Sequence, residues 1–387
     1  MRLMGCYLAL AMTTAMPVIG PSLCWGQTQA EGKGVTIYKP EKAFNGYTLF
    51  CHTYEDPRVG PDGVAHMYLI DMKGEVVHEW TARTAVQLLE LLPNGNLLYS
   101  TRDRSDISKA GLREIDPKSN VVWYYHCRID HDFRILDNGD ILIHCIMDKM
   151  VPKLGPELKR CPYMIEITRD KNLVWEWRGE DHIDELKELL GGKWAEIEEK
   201  IRKDFPFDWA HNNTCESILD NPSGRKDRRF RKGNILFSYR SLDIIGVIDR
   251  DTGRIVWAWG PGELDGQHKP TMLPNGHILI FDNGTRRGWS RVIELDPLEE
   301  RIVWQYKATP PESFFSAYIS GAQLLPNGNV FICEGGRGRL FEVTRDGEIV
   351  WEYRSPFGVR GTYGIYRATR YSPEYVRPLL EARSSSE

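Results

Sequence analysis

The chain has 387 residues, of which 41% are hydrophobic and 27% are charged, and its formal net charge is -4 at pH 7. This composition is that of a globular protein with enough apolar material for one large core or two smaller ones. The slight negative charge, without a long basic stripe, gives no reason to expect a nucleic-acid partner.

The first segment of the chain has the features of a secretory signal peptide over residues 1–28. Arg2 precedes an apolar run that Pro17 and Gly20 interrupt, and small and polar residues follow it. The apolar run is too short and too interrupted for a membrane span. Cys24 is a candidate lipid-anchor site, but the residues before it fit such processing poorly. We therefore expect a periplasmic or secreted protein, with a lipoprotein as the less favoured alternative.

The cysteines permit disulfide bonds without defining them. Eight are present, and six remain once Cys6 and Cys24 are set aside with the signal peptide. An even number in an exported chain is compatible with disulfides, but the pairing stays open, and several may equally be buried thiols. None of the six forms a CxxC pair, so a zinc cluster is not indicated. The six are Cys51, Cys127, Cys145, Cys161, Cys215 and Cys333.

A motif that ends in an aromatic pair recurs along the chain. An apolar strand pattern precedes it, and a Pro-Asn-Gly or Asp-Asn-Gly turn followed by another apolar strand comes after most copies. Such turns are strong hairpin signals because Asn and Gly tolerate positive φ. The copies are GEVVHEW (74–80), SNVVWYY (119–125), KNLVWEW (171–177), GRIVWAW (253–259), ERIVWQY (300–306) and GEIVWEY (347–353).

Units of this size match the four-stranded blades of a β-propeller. Six copies therefore predict an all-β, six-bladed β-propeller over residues 33–370. The Trp and Tyr residues of the repeat are expected to form the core between adjacent blades. Residues 371–387 are interpreted as a C-terminal tail, either a short helix with a frayed end or a docking element.

The third repeat is interrupted by a helical insertion at residues 180–205. Ile183, Leu186 and Leu190 have helical spacing, as does a second apolar set that follows Gly191 and Gly192. We expect a helical hairpin on one face of the propeller. It is either a decoration or a cap over a central site.

Histidines recur at one place in the repeat. His131 and His268 each lie five positions before the Leu of the following turn, and His211 lies in the matching loop of the unit between them. The first and fifth units have Gln87 and Ser320 at this position. Equivalent positions in a radially repeated fold lie on a ring, so we expect the three imidazoles to point towards a common axis.

Two further residues extend this candidate site. Asn213 shares a face with His211 if their segment is extended, and Arg240 follows the next strand and is expected near the same mouth. Three imidazoles could bind zinc or copper, but Arg240 would repel a cation and no carboxylate or thiolate is clearly placed to complete the set. The same groups suit an anionic tetrahedral group better, which points to sulfuryl or phosphoryl transfer.

At these residues the sequence resembles the bacterial aryl-sulfate sulfotransferase family. The resemblance runs through residues 60–355, and the combination of DWxHxN, QH and FDNG is fairly specific. The matching stretches are DHDF (130–133), DWAHNN (208–213), the Arg in SYRSLDIIGVID (238–249) and GQHKPTMLPNGHILIFDNG (266–284).

The resemblance implies a periplasmic enzyme that moves a sulfuryl group from an aryl sulfate donor to a phenolic acceptor without a nucleotide donor or a cofactor. It implies a ping-pong reaction through a sulfated His268. His131, His211, Asn213 and Arg240 would hold the sulfuryl oxygens, and one histidine would serve as general acid and base. Which histidine does so stays open.

Two family features have no counterpart in the sequence, namely an additional N-terminal β domain used in dimerisation and a close cysteine pair. The oligomeric state is therefore left open. The principal alternative function is a non-catalytic periplasmic propeller that acts as a scaffold or binds a ligand. Hydrolysis of sulfate esters, with water as acceptor, is a further alternative.

Overall fold

The computed structural model describes residues 32–53, 63–102, 107–358 and 364–384. The predicted signal peptide, including Cys24, lies outside these ranges and stays a prediction. The described residues all lie in one compact unit. None of the helices in these ranges has the length and apolar content that a membrane crossing requires.

The described chain consists mainly of short β-strands joined by tight turns. Most of the strands are buried on both faces, as expected where each sheet is covered by its neighbours. In chain order the strands are β1 (Gly34–Tyr38), β2 (Tyr47–His52), β3 (Ala65–Ile70), β4 (Val76–Ala82), β5 (Leu89–Leu91), β6 (Leu97–Thr101), β7 (Gly111–Ile115), β8 (Val121–His126), β9 (Ile129–Ile135), β10 (Ile141–Met150), β11 (Leu158–Ile167), β12 (Leu173–Arg178), β13 (Asn212–Ser217), β14 (Ile235–Tyr239), β15 (Ile244–Ile248), β16 (Ile255–Trp259), β17 (His268–Met272), β18 (Ile278–Asp282), β19 (Arg291–Asp296), β20 (Arg301–Tyr306), β21 (Gly321–Leu324), β22 (Val330–Glu334), β23 (Arg339–Val343), β24 (Ile349–Arg354) and β25 (Ile365–Tyr371).

These strands form six antiparallel sheets, five with four strands and one with five. In the second to fifth sheets consecutive strands pair with each other: β5–β8, β9–β12, β13–β16 and β17–β20. The sixth sheet contains β21–β24 and adds β1 at its outer edge. The predicted six-bladed β-propeller is confirmed.

The first sheet closes the ring because it joins the two ends of the propeller. Its order is β25-β2-β3-β4, so the inner strand comes from the C-terminal end and the other three come from the N-terminal end. Tyr47 pairs with Tyr371, and His52 pairs with Ile365. Closure depends on main-chain hydrogen bonds between segments more than 300 residues apart in sequence.

The aromatic-pair motif forms the outer part of each blade, and its Trp side chains reach the next blade. Trp177 Nε1 donates to Gly253 O at 2.7 Å, and Trp351 Nε1 donates to Met72 O across the closing interface at 2.9 Å. Each indole therefore covers apolar surface and satisfies a turn carbonyl of the neighbouring sheet. Equivalent bonds to main-chain carbonyls run from Trp123 to Arg169 and from Trp304 to Arg345, whereas Trp257 donates to the side-chain carboxylate of Glu300.

Two helices, α1 (Ile183–Leu190) and α2 (Trp194–Lys203), lie in the connection from β12 to β13. Their buried residues belong to the same core cluster as Trp209 and Tyr239 of the fourth sheet region. Lys200 of α2 also forms an ion pair of 2.5 Å with Asp243. The insertion is therefore packed into the third and fourth blades.

The remaining helices are α3 (Pro222–Lys226), after β13, and α4 (Pro373–Ser384), which follows the closing strand. Val376 and Leu379 of α4 are fully buried in the core cluster of the first and second sheets. Tyr375 donates its hydroxyl to Leu91 O at 2.8 Å. The described part of the C-terminal segment is therefore docked on the propeller.

Candidate active site

The six inner strands place six polar side chains at one register. In each blade, one residue of the inner strand pairs with the first residue of the second strand, and the polar side chain stands four residues before it. In the third blade, for example, Ile135 pairs with Ile141, and His131 stands four residues before Ile135. Because the inner strands surround the propeller axis, these side chains form a ring, here called the axial ring. Its members, in the order of the blades, are Arg367, Gln87, His131, Asn213, His268 and Ser320.

The sequence prediction for His211 was wrong in register. Asn213 occupies the position of His131 and His268, and His211 lies two residues earlier. The backbone at His211 has φ 46, in the left-handed region that few residues other than glycine adopt. The imidazole nevertheless lies beside that of His131, with ring centroids 4.6 Å apart. The conformation of the turn before β13 shifts His211 by two residues relative to the repeat, and counting residues along the repeat does not reveal this shift.

His268 is buried, and its ring is oriented by a carboxamide. Its Nδ1 lies 2.7 Å from Asn283 Oδ1, while Asn283 Nδ2 donates to Ser316 O at 2.7 Å and to Ile319 O at 3.0 Å. Since these carbonyls can only accept, the amide oxygen must face His268, and Nδ1 carries the ring proton. Nε2 is then the nitrogen with the free lone pair.

The charge state of His268 follows from its surroundings. Burial, the Arg240 guanidinium, His211 and His131 lower the pKa of His268 well below its ordinary value, against a smaller opposing effect of Asn283. His268 is therefore a neutral imidazole near neutral pH.

His131 is buried against a carboxylate and a guanidinium. Its Nδ1 donates to Asp130, and its Nε2 lies 3.5 Å from Arg102 Nη1. Arg102 also pairs with Asp130 at 2.7 Å. Burial lowers the pKa of His131 to about 3, although Asp130 opposes this shift. Burial alone would raise the pKa of Asp130, but His131 and Arg102 hold it well below its ordinary value.

His211 is the more accessible of the three histidines, with 27% of its side chain exposed. Its Nδ1 donates to Asp208 Oδ2 at 2.6 Å. Burial would raise the pKa of Asp208, but the hydrogen bond and the charge of His211 hold it below its ordinary value. The carboxylate of Asp208 thus orients the His211 ring by fixing its Nδ1–H.

Arg240 lies in the site with part of its guanidinium free. Nη2 donates to Ala317 O at 3.3 Å, and the buried Nε has no partner among the described residues. The carboxylate of Asp243, three residues later in the chain, pairs with Lys200 at 2.5 Å and with Arg286 at 2.8 Å. Burial lowers the pKa of Arg240, which nonetheless stays a cation at neutral pH.

Asn213 is fully buried and is directed into the protein. Its Nδ2 donates to Gln267 O at 2.8 Å, and its Oδ1 accepts from Thr214 at 3.3 Å. Its main-chain carbonyl accepts from Arg367 Nη2 at 2.8 Å. These bonds connect the inner strand of the fourth blade to the residue before His268, so the structure places Asn213 as a positioning residue beside the site.

A buried charge network adjoins the axial ring. Arg367 pairs with Asp132 at 2.5 Å, and Arg134 lies 3.3 Å from Asp132 and 3.4 Å from Glu216. Lys269 pairs with Glu216 at 2.8 Å. The network joins the inner strands of the first, third, fourth and fifth blades and so restricts their relative movement.

Several functional candidates were missed by the sequence reasoning. The acids Asp130 and Asp208 stand one and three residues before their histidines, and Asn283 belongs to the FDNG stretch that carried the resemblance. These positions in the sequence could have indicated that the three residues orient the histidines. Tyr366, whose ring lies 6.0 Å from His131, has a buried hydroxyl without a partner among the described residues. No local pattern indicated it, because it arrives on the closing strand.

One group of side chains has the composition of a metal site. Asp130, His131 and His144 offer ligand atoms within 4.8 Å of one another, all of them buried. However, the Arg102 guanidinium already lies 2.7 Å from the Asp130 carboxylate. A cation bound there would have to displace Arg102, so the donor set fits an arginine-neutralised carboxylate better than a metal centre.

The fold and the site together define a class, a six-bladed propeller with imidazoles and a guanidinium near its axis. Residues 93–356 match the family described as Arylsulfotransferase (ASST). This match covers more than half of the chain, which therefore belongs to the arylsulfotransferase family. Membership supports a sulfotransferase enzyme that acts on small molecules. No curated protein sequence is similar enough to be counted as a match.

Solved structures share the propeller fold at low sequence identity. A crystal structure of a protein of unknown function from Bacteroides caccae has a TM-score of 0.53 at 15% identity and covers 84% of this chain and 100% of that one. Virginiamycin B lyase from Staphylococcus aureus has a TM-score of 0.42 at 13% identity, with 81% and 90% covered. The Dos1 propeller has 0.40 at 12%, with 86% and 75% covered. The first supports the fold alone, and the two weaker similarities carry no argument.

Proposed function

We propose that the protein transfers a sulfuryl group from an aryl sulfate ester to a phenolic acceptor in two half-reactions, with a sulfated His268 between them. The observation that carries the proposal is the orientation of His268 by Asn283, because it leaves Nε2 unprotonated. Family membership supports the sulfuryl chemistry. The resemblance to aryl-sulfate sulfotransferases supports an aryl ester, rather than a nucleotide, as the donor.

In the first half-reaction, Nε2 of His268 attacks the sulfur atom of the donor. A nitrogen–sulfur bond forms from the Nε2 lone pair, and the bond between sulfur and the phenolic oxygen breaks with both electrons on the oxygen. Arg240 is the cation best placed to stabilise charge on the sulfuryl oxygens, because its Nε is free of partners among the described residues.

We assign proton transfer to His211. Asp208 holds its Nδ1–H at 2.6 Å and favours the imidazolium, which can protonate the departing phenolate through Nε2. In the second half-reaction the neutral imidazole of His211 removes the proton of the incoming phenol. The phenolic oxygen attacks the sulfur of sulfated His268, and the nitrogen–sulfur bond breaks with both electrons returning to Nε2. His131 is the poorer candidate, because burial lowers its pKa to about 3 and Arg102 faces its Nε2.

We also propose that the protein acts outside the cytoplasm, in the periplasm or as a secreted enzyme. The support is the sequence pattern of residues 1–28, which is that of a secretory signal peptide. Processing is tested by mass spectrometry of the protein recovered from fractionated cells. A mature chain in the periplasm or medium that begins near residue 29 is expected, and an uncleaved chain in the cytoplasm would contradict the proposal.

The transfer proposal is tested by exposing the protein to 4-nitrophenyl sulfate without an acceptor and measuring its intact mass. We expect one acid-labile sulfuryl adduct on the wild type and none on His268→Ala. His277→Ala is the matched control, because His277 lies in the same blade at a turn and is expected to leave the adduct unchanged. An adduct that persists in His268→Ala would refute the assigned nucleophile.

The acceptor separates the proposal from its alternatives. Transfer predicts faster release of 4-nitrophenol when a second phenol is supplied, together with formation of its sulfate ester. Hydrolysis predicts release that does not depend on the phenol. A wild-type protein that is folded but inactive with a broad panel of aryl sulfates would favour the non-catalytic scaffold.

A further inference from the structure

Two cysteines meet where the second blade passes into the third. Cys145 of β10 pairs with Ile129 of β9, and Cys127 lies two residues before Ile129 in the bend after β8. Ile146 N donates to Arg128 O at 3.1 Å, so the two segments stay paired at this point. Cys127 and Cys145 therefore lie on neighbouring backbone segments, two residues out of direct register.

The Cys127 thiol influences the ionisation of Cys145. A hydrogen bond with the Cys127 thiol is the largest cause that raises the pKa of Cys145 well above its ordinary value, followed by burial. Both side chains also belong to the packing of one apolar cluster, with Cys145 buried and Cys127 at its margin. The pair therefore combines close sulfur atoms with one partner that solvent can reach.

Three of the other four described cysteines are hydrogen-bonded to the main chain. The thiols of Cys51, Cys161 and Cys333 donate to the main-chain carbonyls of Gln87, Lys159 and Ile365 at 3.9, 3.8 and 3.6 Å. These three are buried. Buried thiols bonded to backbone are inert towards exchange, because reagent cannot approach them.

We propose that Cys127 and Cys145 form a disulfide bond when the protein meets a disulfide oxidant. The Cys127 thiolate attacks one sulfur of the oxidant and forms a mixed disulfide with it, and the other half of the oxidant leaves as a thiol. The Cys145 thiolate then attacks the Cys127 sulfur and releases the second thiol. The protein loses two protons and two electrons, and the oxidant is reduced to two thiols.

This disulfide bond would constrain β9, the strand that carries His131 of the candidate site. The loop that it closes contains all of β9, including Asp130 and His131. Cross-linking that loop restricts the unfolded chain and holds the start of β9 against β10. The proposal concerns covalent structure alone, so it can fail or succeed independently of sulfuryl transfer.

The test uses the full chain, incubated with oxidised glutathione, denatured, alkylated and digested. We expect a linked peptide that contains Cys127 and Cys145, a loss of two hydrogen atoms from the intact protein, and a higher Tm than for the reduced protein. The rate of bond formation should rise with pH, because the buried Cys145 must ionise before it attacks.

Matched serine variants complete the test. Cys127→Ser and Cys145→Ser should each abolish the linked peptide and the rise in Tm on oxidation, whereas Cys161→Ser should retain both. Cys127→Ser keeps a half-exposed hydroxyl and is expected to fold, so it remains informative if Cys145→Ser does not. Complete alkylation of both cysteines after oxidation, or a linked peptide with a different cysteine, would overturn the proposal.

Discussion

At the residue scale, the three histidines differ in the side chain that accepts a hydrogen bond from their Nδ1, and this difference distinguishes their proposed roles. His268 donates to a carboxamide, whereas His131 and His211 donate to carboxylates. A carboxamide gives little support to an imidazolium, so the partner of His268 favours a neutral nucleophile. Accessibility then distinguishes His211, which can exchange protons, from the buried His131.

Replacing Asn283 by Ala should lower kcat by roughly 100-fold while the KM of the donor changes little, because the ring of His268 loses the acceptor that selects its tautomer. The substitution also leaves Ser316 O and Ile319 O without their donor, at a cost of about 1–3 kcal/mol in the free energy of unfolding. Steady-state kinetics and urea unfolding measure the two effects. The control is Asn138→Ala in an exposed turn, and equal kcat values for the two variants would contradict the role of Asn283.

Replacing Asp208 by Asn should reduce kcat most for donors with poor leaving groups. The neutral amide no longer supports the His211 imidazolium, so protonation of the departing phenolate becomes limiting, by about 10²-fold for a basic phenol. 4-nitrophenyl sulfate should be affected much less, because 4-nitrophenolate leaves without a proton. A series of substituted phenyl sulfates measures this dependence, with exposed Asp220→Asn as the control. An equal loss for every donor would show that Asp208 acts only on structure.

At the element scale, the helical insertion is connected to the loop that precedes the nucleophile. Lys200 of α2 pairs with Asp243, and Asp243 Oδ1 accepts from Gly266 N at 2.8 Å. Gly266 stands two residues before His268. The insertion therefore supports the site through Asp243, in addition to burying apolar surface.

Replacing Lys200 by Ala should loosen the loop before His268 more than it destabilises the fold. Arg286 still pairs with Asp243, and the pair with Lys200 is partly exposed, so the loss of unfolding free energy should be about 1 kcal/mol or less. We expect a severalfold lower kcat, measured with 4-nitrophenyl sulfate and a phenol. The control on the same helix is Lys203→Ala, whose partner is the exposed Glu199. Identical kinetics for the two variants would leave the insertion without a role at the site.

At the scale of the whole molecule, ring closure is the property that every blade depends on. The closing strand β25 supplies Tyr366 and Arg367, so the same element completes the propeller and contributes to the centre of the site. The docked helix α4 follows it directly and covers apolar residues of the first two blades. Loss of the C-terminal segment thus affects the stability and the site together.

Two truncations separate these contributions. Ending the chain after Tyr371 removes α4 and the burial of Val376 and Leu379, which should lower the unfolding free energy by roughly 3–6 kcal/mol. Ending it after Gly364 also removes β25 and should prevent formation of a cooperative fold, because the first blade loses its inner strand. Thermal unfolding followed by circular dichroism distinguishes them. A cooperative transition in the shorter chain would show that closure is dispensable.

Most of the candidate site is predictable from the sequence. His131, His211, His268 and Arg240 do interact near the axis, because repeated strands in a radial fold deliver equivalent residues to one region. The register of His211 was wrong, since it depends on a residue with positive φ that the repeat does not encode. Asn213 was expected to bind substrate, but its amide bonds to Gln267 and Thr214.

The sequence by itself determined the six blades, the helical insertion and the identity of the candidate histidines, because strand periodicity, turn residues and repeats are local properties of the chain. Only the tertiary structure decided which acid or amide orients each imidazole, which cysteines meet and how the C-terminal strand completes the ring. Those relations join residues that are distant in sequence or lie in irregular loops. Their geometry arises from packing, which no local pattern specifies.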